Sequence, residues 1–242
     1  MYHSVADTKD DPYNITVSPK RLEQQLRWLR RHSLTGVSMA QLLRARADGR
    51  ATGLVGLTFD DGYADFIHTA VPMLRRHAFT ATVYVLPGRL GGENSWDPRG
   101  PRKPLITEDG IRRAAAAGME IGSHGMHHTD LGGADATLLV EEIEHSRKLL
   151  GEITGTEIAG FCYPYGTVDA RSLDAVRAAG YAYGVGISPG ELTGLFALPR
   201  IHVGERDTSL RLNVKWRLHH RRRRPVPYAT QPGPTPAGRT VQ

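Results

Sequence analysis

The chain has 242 residues, 40% apolar and 23% charged, the proportions of a globular protein long enough to bury a core without covalent staples. A single cysteine, Cys162, excludes an intrachain disulfide, and no run of about 18 apolar residues is present to span a bilayer. The formal charge of +6 and the pI near 9.6 trace largely to Arg221, Arg222, Arg223 and Arg224 beside His219 and His220, without which the remainder is only mildly basic.

The opening residues, MYHSVADTKDD, have neither a basic n-region nor an apolar run, so no signal peptide is predicted. As the sequence stands the expectation is cytoplasmic; action outside the cell or at its envelope requires further chain upstream. Short runs rich in Val, Ile, Phe and Tyr predict strands over residues 1–5, 54–59, 80–86, 119–124, 158–163, 181–187 and 197–203. Between the first two, Ser18 caps a helix with Pro19 in its first position and Leu22, Leu26 and Leu29 on one face. Ser38 and Gln41 form a capping box for a second helix. Residues 87–104, with several Gly and Pro plus Trp96 and Asp97, are too long for a plain connector and predict a flap over a site. Thr107, Glu108 and Asp109 open a helix over 111–117, ended by Gly118. A longer helix over about 135–153 repeats Leu139, Ile143 and Leu150, and another over 169–179 stops at Gly180. The last helix, 207–220, places Leu210, Val214 and Leu218 at helical spacing. Residues 221–242, rich in Pro, Gly and Thr, predict a disordered basic tail after a single domain of residues 1–220.

Strand–helix alternation with helix-length crossovers predicts an α/β fold with a mostly parallel sheet. An open doubly wound sheet and a closed barrel both fit, and both put ligands at the carboxyl ends of strands. Four such ends carry polar chemistry. Asp60 and Asp61 follow one strand directly, and adjacent carboxylates stay ionised cheaply only beside a cation. His124 and His128, with His127 between them, follow another, and short His spacings are how zinc-like ions are bound. The Tyr163-Pro164-Tyr165-Gly166 turn is a rigid corner whose backbone donors suit a developing oxyanion. Tyr2 and His3 belong to the first strand. One Asp and two His make a three-ligand set with a fourth position open, which leaves the other Asp to act as a base. Those are the parts of a metal-assisted acyl hydrolase.

TFDDGY at 58–63, SHGMHHTDL at 123–131 and YPYG at 163–166 resemble, in that order, three motifs of the polysaccharide deacetylase family, also called the NodB-homology or carbohydrate esterase family 4 group. The resemblance spans residues 1–203. It implies a distorted (β/α) barrel of about seven strands and a divalent metal, zinc first with cobalt or nickel as alternatives. It assigns Asp60 as general base, Asp61, His124 and His128 as ligands with His127 at a variable position, and the Tyr165 N–H as an oxyanion donor. The implied substrate is an N-acetylated, less often O-acetylated, oligosaccharide, polysaccharide or glycoside. MYHSV resembles the start of circularly permuted members, including deacetylases of exported poly-N-acetylglucosamine, and this assigns His3 as general acid.

Three departures stand out. Cys162 occupies the position where the third motif usually has Arg; Gly125 replaces a small hydroxyl residue; and no clear Leu-x-His motif follows near the end. Arg200 in LPRI is placed to cover the first loss by reaching Asp60. Tyr163, Pro164, Trp96, Asp97 and Arg200 are the expected substrate-side residues. The rival readings are a catalytically impaired carbohydrate-binding relative and a nucleic-acid binder using the arginine tract. The second lacks interleaved aromatics or a recognisable module, so no specific nucleic-acid partner is expected.

Overall fold

The structure is a computed structural model that describes residues 1–222, with side chains through Leu218, so nearly all of the tail expected over 221–242 lies outside the described residues. The first apolar run gives β1 (Ser4–Val5), paired in parallel with β2 (Thr16–Val17). Helix α1 (Pro19–Arg31) starts where the Ser18 hydroxyl accepts the Arg21 N–H, and it buries Leu22, Leu26 and Leu29 as their spacing requires. Strand β3 (Thr35–Val37) precedes α2 (Met39–Ala47), which opens on the Ser38–Gln41 capping box, and β4 (Leu54–Gly56) returns to pair with β3. The strand expected over 54–59 is therefore two, because β5 (Thr58–Phe59) leaves that pair and joins the main sheet.

A π turn (Phe66–Ala70) and α3 (Val71–Arg76) come next, a helical stretch that the sequence pattern missed and that carries Pro72 in its first turn. The chain continues through β6 (Thr82–Val85), α4 (Glu108–Ala116), β7 (Glu120–Ser123), α5 (Ala136–Leu139), a second π turn (Val140–His145), α6 (Ser146–Thr154), β8 (Gly160–Cys162), α7 (Ala170–Ala178), β9 (Tyr183–Val185) and α8 (Ser209–Arg222). Strands β5 to β9 pair in sequence order, all in parallel, giving an α/β fold around a curled five-stranded sheet.

Further main-chain contacts extend both edges. Tyr2 N–H donates to Thr58 O (2.8 Å) and Asp60 N–H to Tyr2 O (3.0 Å), while Gly186 N–H donates to Leu198 O (2.9 Å). Residues 197–203, expected as a strand, make a single bridge, Leu198 to Val185, beyond which the Arg200 N–H donates to Ile187 O (3.1 Å). Val203 N–H then reaches Met1 O (2.9 Å), so this segment lies beside the N-terminal one.

Side chains alternate across the sheet as a period of two demands. Val83, Val85, Ile121 and Phe161 pack into the helices, each burial being worth about 1.5–3 kcal/mol. Tyr84, Cys162 and Tyr183 face inward with Leu198. The interior is partly polar: Tyr183 donates to Glu120 Oε1 and Thr82 to Glu120 Oε2, both at 2.7 Å. Gly160 is required there, since a Cβ would stand 2.2 Å from the Tyr183 hydroxyl. Loop 87–104 is pinned rather than loose. Buried Asn94 accepts the Lys103 N–H (2.7 Å) and donates to Pro101 O (3.3 Å), and Glu93 bridges Pro104.

Candidate active site

The carboxyl ends of β5, β7 and β8 bring the first three motifs together. Asp60 and Asp61 leave β5, and Asp61 adopts a left-handed φ of 69° that turns it away from its neighbour's path. Its Oδ1 lies 3.2 Å from His124 Nε2 and 3.3 Å from His128 Nε2, with all three side chains buried. His128 and Tyr165 are also left-handed, with φ of 68° and 56°, so three of the six non-glycine residues with positive φ in the described chain meet in this cleft. Backbone strain of about 1–3 kcal/mol per residue persists only where the surroundings fix it.

The donor set suits a zinc-like ion. His124 Nδ1 lies 2.8 Å from Cys162 O, which can only accept, so the proton sits on Nδ1 and the Nε2 lone pair faces the Asp61 carboxylate. Two acceptors held at that distance need a cation or a proton between them. Without metal it is a proton: burial works against it, but Cys162 and the hydrogen bond to Asp61 hold the His124 pKa well above the usual imidazole value. Two nitrogens and one oxygen, with one imidazole oriented by a carbonyl, match zinc-site chemistry. His128 is clamped between aromatic rings, Trp96 stacked at 4.6 Å and Tyr165 edge-on at 4.5 Å.

Asp60 serves a different neighbour. Arg200 donates from Nη1 to Oδ1 (2.6 Å) and from Nη2 to Oδ2 (2.8 Å), a fork from the far edge of the sheet. The same guanidinium is fixed by Gly186 O (2.9 Å) and Thr58 Oγ1 (3.1 Å), and Cys162 Sγ lies 3.1 Å from Nη2. Burial alone would raise the Asp60 pKa, but the Arg200 charge takes it down to about 2. Arg200 thus stands in the space that a larger side chain at position 162 would need.

These observations fix the family. The polysaccharide deacetylase model matches residues 48–184, more than half of the chain. The chain belongs to the polysaccharide deacetylase family. It is 27% identical to YxkH of Bacillus subtilis (strain 168) over 208 residues, 84% of this chain and 70% of that protein. It is 23% identical to the poly-beta-1,6-N-acetyl-D-glucosamine N-deacetylase of Staphylococcus aureus (strain MRSA252) over 220 residues, 86% of this chain and 74% of that one. Its fold superposes on the Streptococcus pyogenes deacetylase PplD in complex with acetate, with a TM-score of 0.75 and 24% identity over 88% of this chain and 95% of the other.

Within this polysaccharide deacetylase, the remaining expected residues divide. His3 is partly buried beside His202 (ring centroids 6.1 Å); burial lowers its pKa against the pull of Asp61 and Asp60. Burial and then the Asp61 charge raise the pKa of Asp97, which puts that carboxyl in the same field. Tyr163, expected on the substrate side, is buried, and its hydroxyl donates to Phe196 O (2.9 Å). Pro164 is buried with it, whereas Tyr165 is 52% exposed and supplies the turn's accessible face.

One residue escaped the sequence reading. Glu142, fully buried on the second π turn, accepts the Met126 N–H (2.8 Å) and His127 N–H (3.0 Å) on Oε2 and the Thr129 hydroxyl (2.8 Å) on Oε1. It therefore holds the loop between His124 and His128. Gly125 faces it at φ 82°, and a Cβ there would come within 2.6 Å of Glu142 Oε2. The available signal was position: Glu142 sits three residues after Leu139 and one before Ile143, on the buried face of the predicted helix.

Proposed function

We propose that this chain is a metal-dependent hydrolase that removes acetyl groups, foremost N-acetyl, from a carbohydrate. The observation that carries the reading is the division of labour between adjacent carboxylates: Asp61 meets His124 and His128, and Asp60 is gripped by Arg200. Asp61, His124 and His128 would hold the cation, with zinc favoured by the two imidazoles and cobalt or nickel as substitutes. A divalent ion there polarises the acetyl carbonyl and lowers the pKa of water to about 7.

The side chains supply the rest. Asp60, ionised across the neutral range, takes a proton as water oxygen bonds to the acetyl carbon. A carboxyl with so low a pKa is a weak base, and its advantage is orientation by the Arg200 fork. The Tyr165 N–H donates to the oxyanion. As the C–N bond breaks, the proton that Asp60 took from water passes by way of His3, which burial keeps neutral at rest, to the departing amine, and acetate remains. Trp96, Asp97 and the Tyr165 ring border the cleft where the sugar would lie.

Residues 1–220 are read as one catalytic domain. The contacts of Tyr2 with Thr58 and of Val203 with Met1 support a seven-stranded, circularly permuted barrel. The named activity of the staphylococcal relative makes poly-β-1,6-N-acetylglucosamine the first polymer to try. An exported polymer implies action at the cell envelope; a small glycoside fits a cytoplasmic enzyme. The test is acetate release from N-acetylglucosamine oligomers and O-acetylated sugars, with metal stripped and restored. Release lost with chelator and regained with zinc supports the reading. Sugar and metal binding with no acetate from any substrate would select the binding-only relative, and Asp60→Asn at near wild-type rate would remove Asp60 as base.

A further inference from the structure

Helix α8 is covered on one side only. Leu212 is buried, and Trp216 meets Trp28 of α1 edge-on at 6.3 Å. The other side carries Leu210, Val214 and Leu218, four apart and therefore in line, at 74%, 51% and 44% exposure. Arg211 and Arg217, both exposed, flank that stripe by helical spacing. The stripe runs directly into the arginine tract.

The charge distribution is one-sided. Residues 208–242 contain eight Arg and Lys and no Asp or Glu, which leaves 23 basic and 25 acidic side chains in the first 207 residues. All of the chain's excess positive charge thus belongs to this helix and its continuation, on a domain that is otherwise slightly acidic.

Three occupants are conceivable, and the two features together choose among them. A nucleic acid would neutralise the arginines but leave three large apolar side chains in water. A second copy would cover the stripe but press two strongly cationic segments together. An anionic lipid surface takes both, with apolar side chains entering the acyl boundary and cations lying among the headgroups.

We propose that α8 is a membrane-surface anchor, laying Leu210, Val214 and Leu218 into an anionic bilayer with the arginine tract on its headgroups. The inference stands independently of the reaction. It concerns attachment rather than insertion, since no helix among the described residues is long and apolar enough to cross a membrane.

The test is co-sedimentation of the full chain with phosphatidylcholine vesicles with and without phosphatidylglycerol, at low and high salt. Binding should require phosphatidylglycerol. Replacing Arg221 to Arg224 by Gln should weaken it on the order of a hundredfold or more at low salt. The triple variant Leu210→Gln, Val214→Gln, Leu218→Gln should weaken it about tenfold or more with an unchanged melting temperature, because the exposed stripe supports no core packing. Absence of phosphatidylglycerol-dependent binding, or full binding by the triple variant, overturns the proposal. So does a dimer in sedimentation that the triple variant abolishes, or a DNA duplex that strips the protein from vesicles at equal charge.

Discussion

Replacing Glu142 by alanine should loosen the loop that joins His124 and His128, the proposed metal ligands. Three donors lose their acceptor at once: the N–H groups of Met126 and His127 and the hydroxyl of Thr129. A buried donor left unpaired costs about 1–3 kcal/mol, though the partly exposed Thr129 recovers some of this from water, so the total is about 2–5 kcal/mol. That is a large share of the ~5–15 kcal/mol that holds a typical domain together, yet small enough to leave most molecules folded. The diagnostic readout is metal. Groups that orient ligands typically change affinity by about 10–100-fold, and competition against a chromogenic chelator measures this without turnover. Glu142→Gln keeps an acceptor oxygen for the two N–H groups and should retain most of the affinity. Gly125→Ser puts a Cβ 2.6 Å from the carboxylate at a left-handed φ and should also destabilise. In a double-mutant cycle with Glu142→Ala, the clash part of that penalty should disappear and only the φ part remain. If Glu142→Ala were destabilised but bound metal with wild-type affinity, Glu142 would be a packing residue and the reasoning about the loop would fail.

Three further outcomes are expected. Arg200→Met strands a buried Asp60 charge and should cost about 3–5 kcal/mol by urea unfolding, whereas Arg200→Lys keeps the charge and should lower kcat more than it raises KM; an unaffected kcat in the lysine variant would deny the fork a role. Trp96→Ala removes one of the two rings clamping His128 and should weaken metal binding several-fold with little change in melting temperature, which chelator competition and a thermal scan would read together. His202 is pushed by burial, and then by His3, from 6.5 down to about 4, so the unfolded chain binds its proton first and stability falls as pH drops from about 6.5 towards 4. By linkage the loss is at most about 3 kcal/mol, and His202→Asn should remove it; parallel unfolding curves for wild type and variant at pH 7 and 4.5 would show His202 carries no such load.

How much was visible beforehand follows from the range of each interaction. Short runs rich in Val, Ile, Phe and Tyr located β6 to β9, and β5 as part of a longer run, while helical periodicity located most helices, because burial writes itself into neighbouring residues. Strands β2 and β3 are two and three residues long, too short to show a period, and the helical stretch through α3 was masked by Pro72. The cluster of Asp61, His124 and His128 was legible because these residues leave the ends of recognisable strands at short spacing. The Glu142 that holds their loop was not, although it reaches across only 15 or 16 positions, whereas the reach of Arg200 to Asp60 across 140 positions was expected from the LPRI segment. Both sit opposite the positions where this chain departs from its family: Arg200 beside Cys162, and Glu142 beside Gly125. In each case a small residue makes room for a charged side chain from another element. A departure from a motif is thus weak evidence that chemistry has been lost until the space it vacates has been searched, and here both spaces are filled by groups aimed at the same carboxylate or loop.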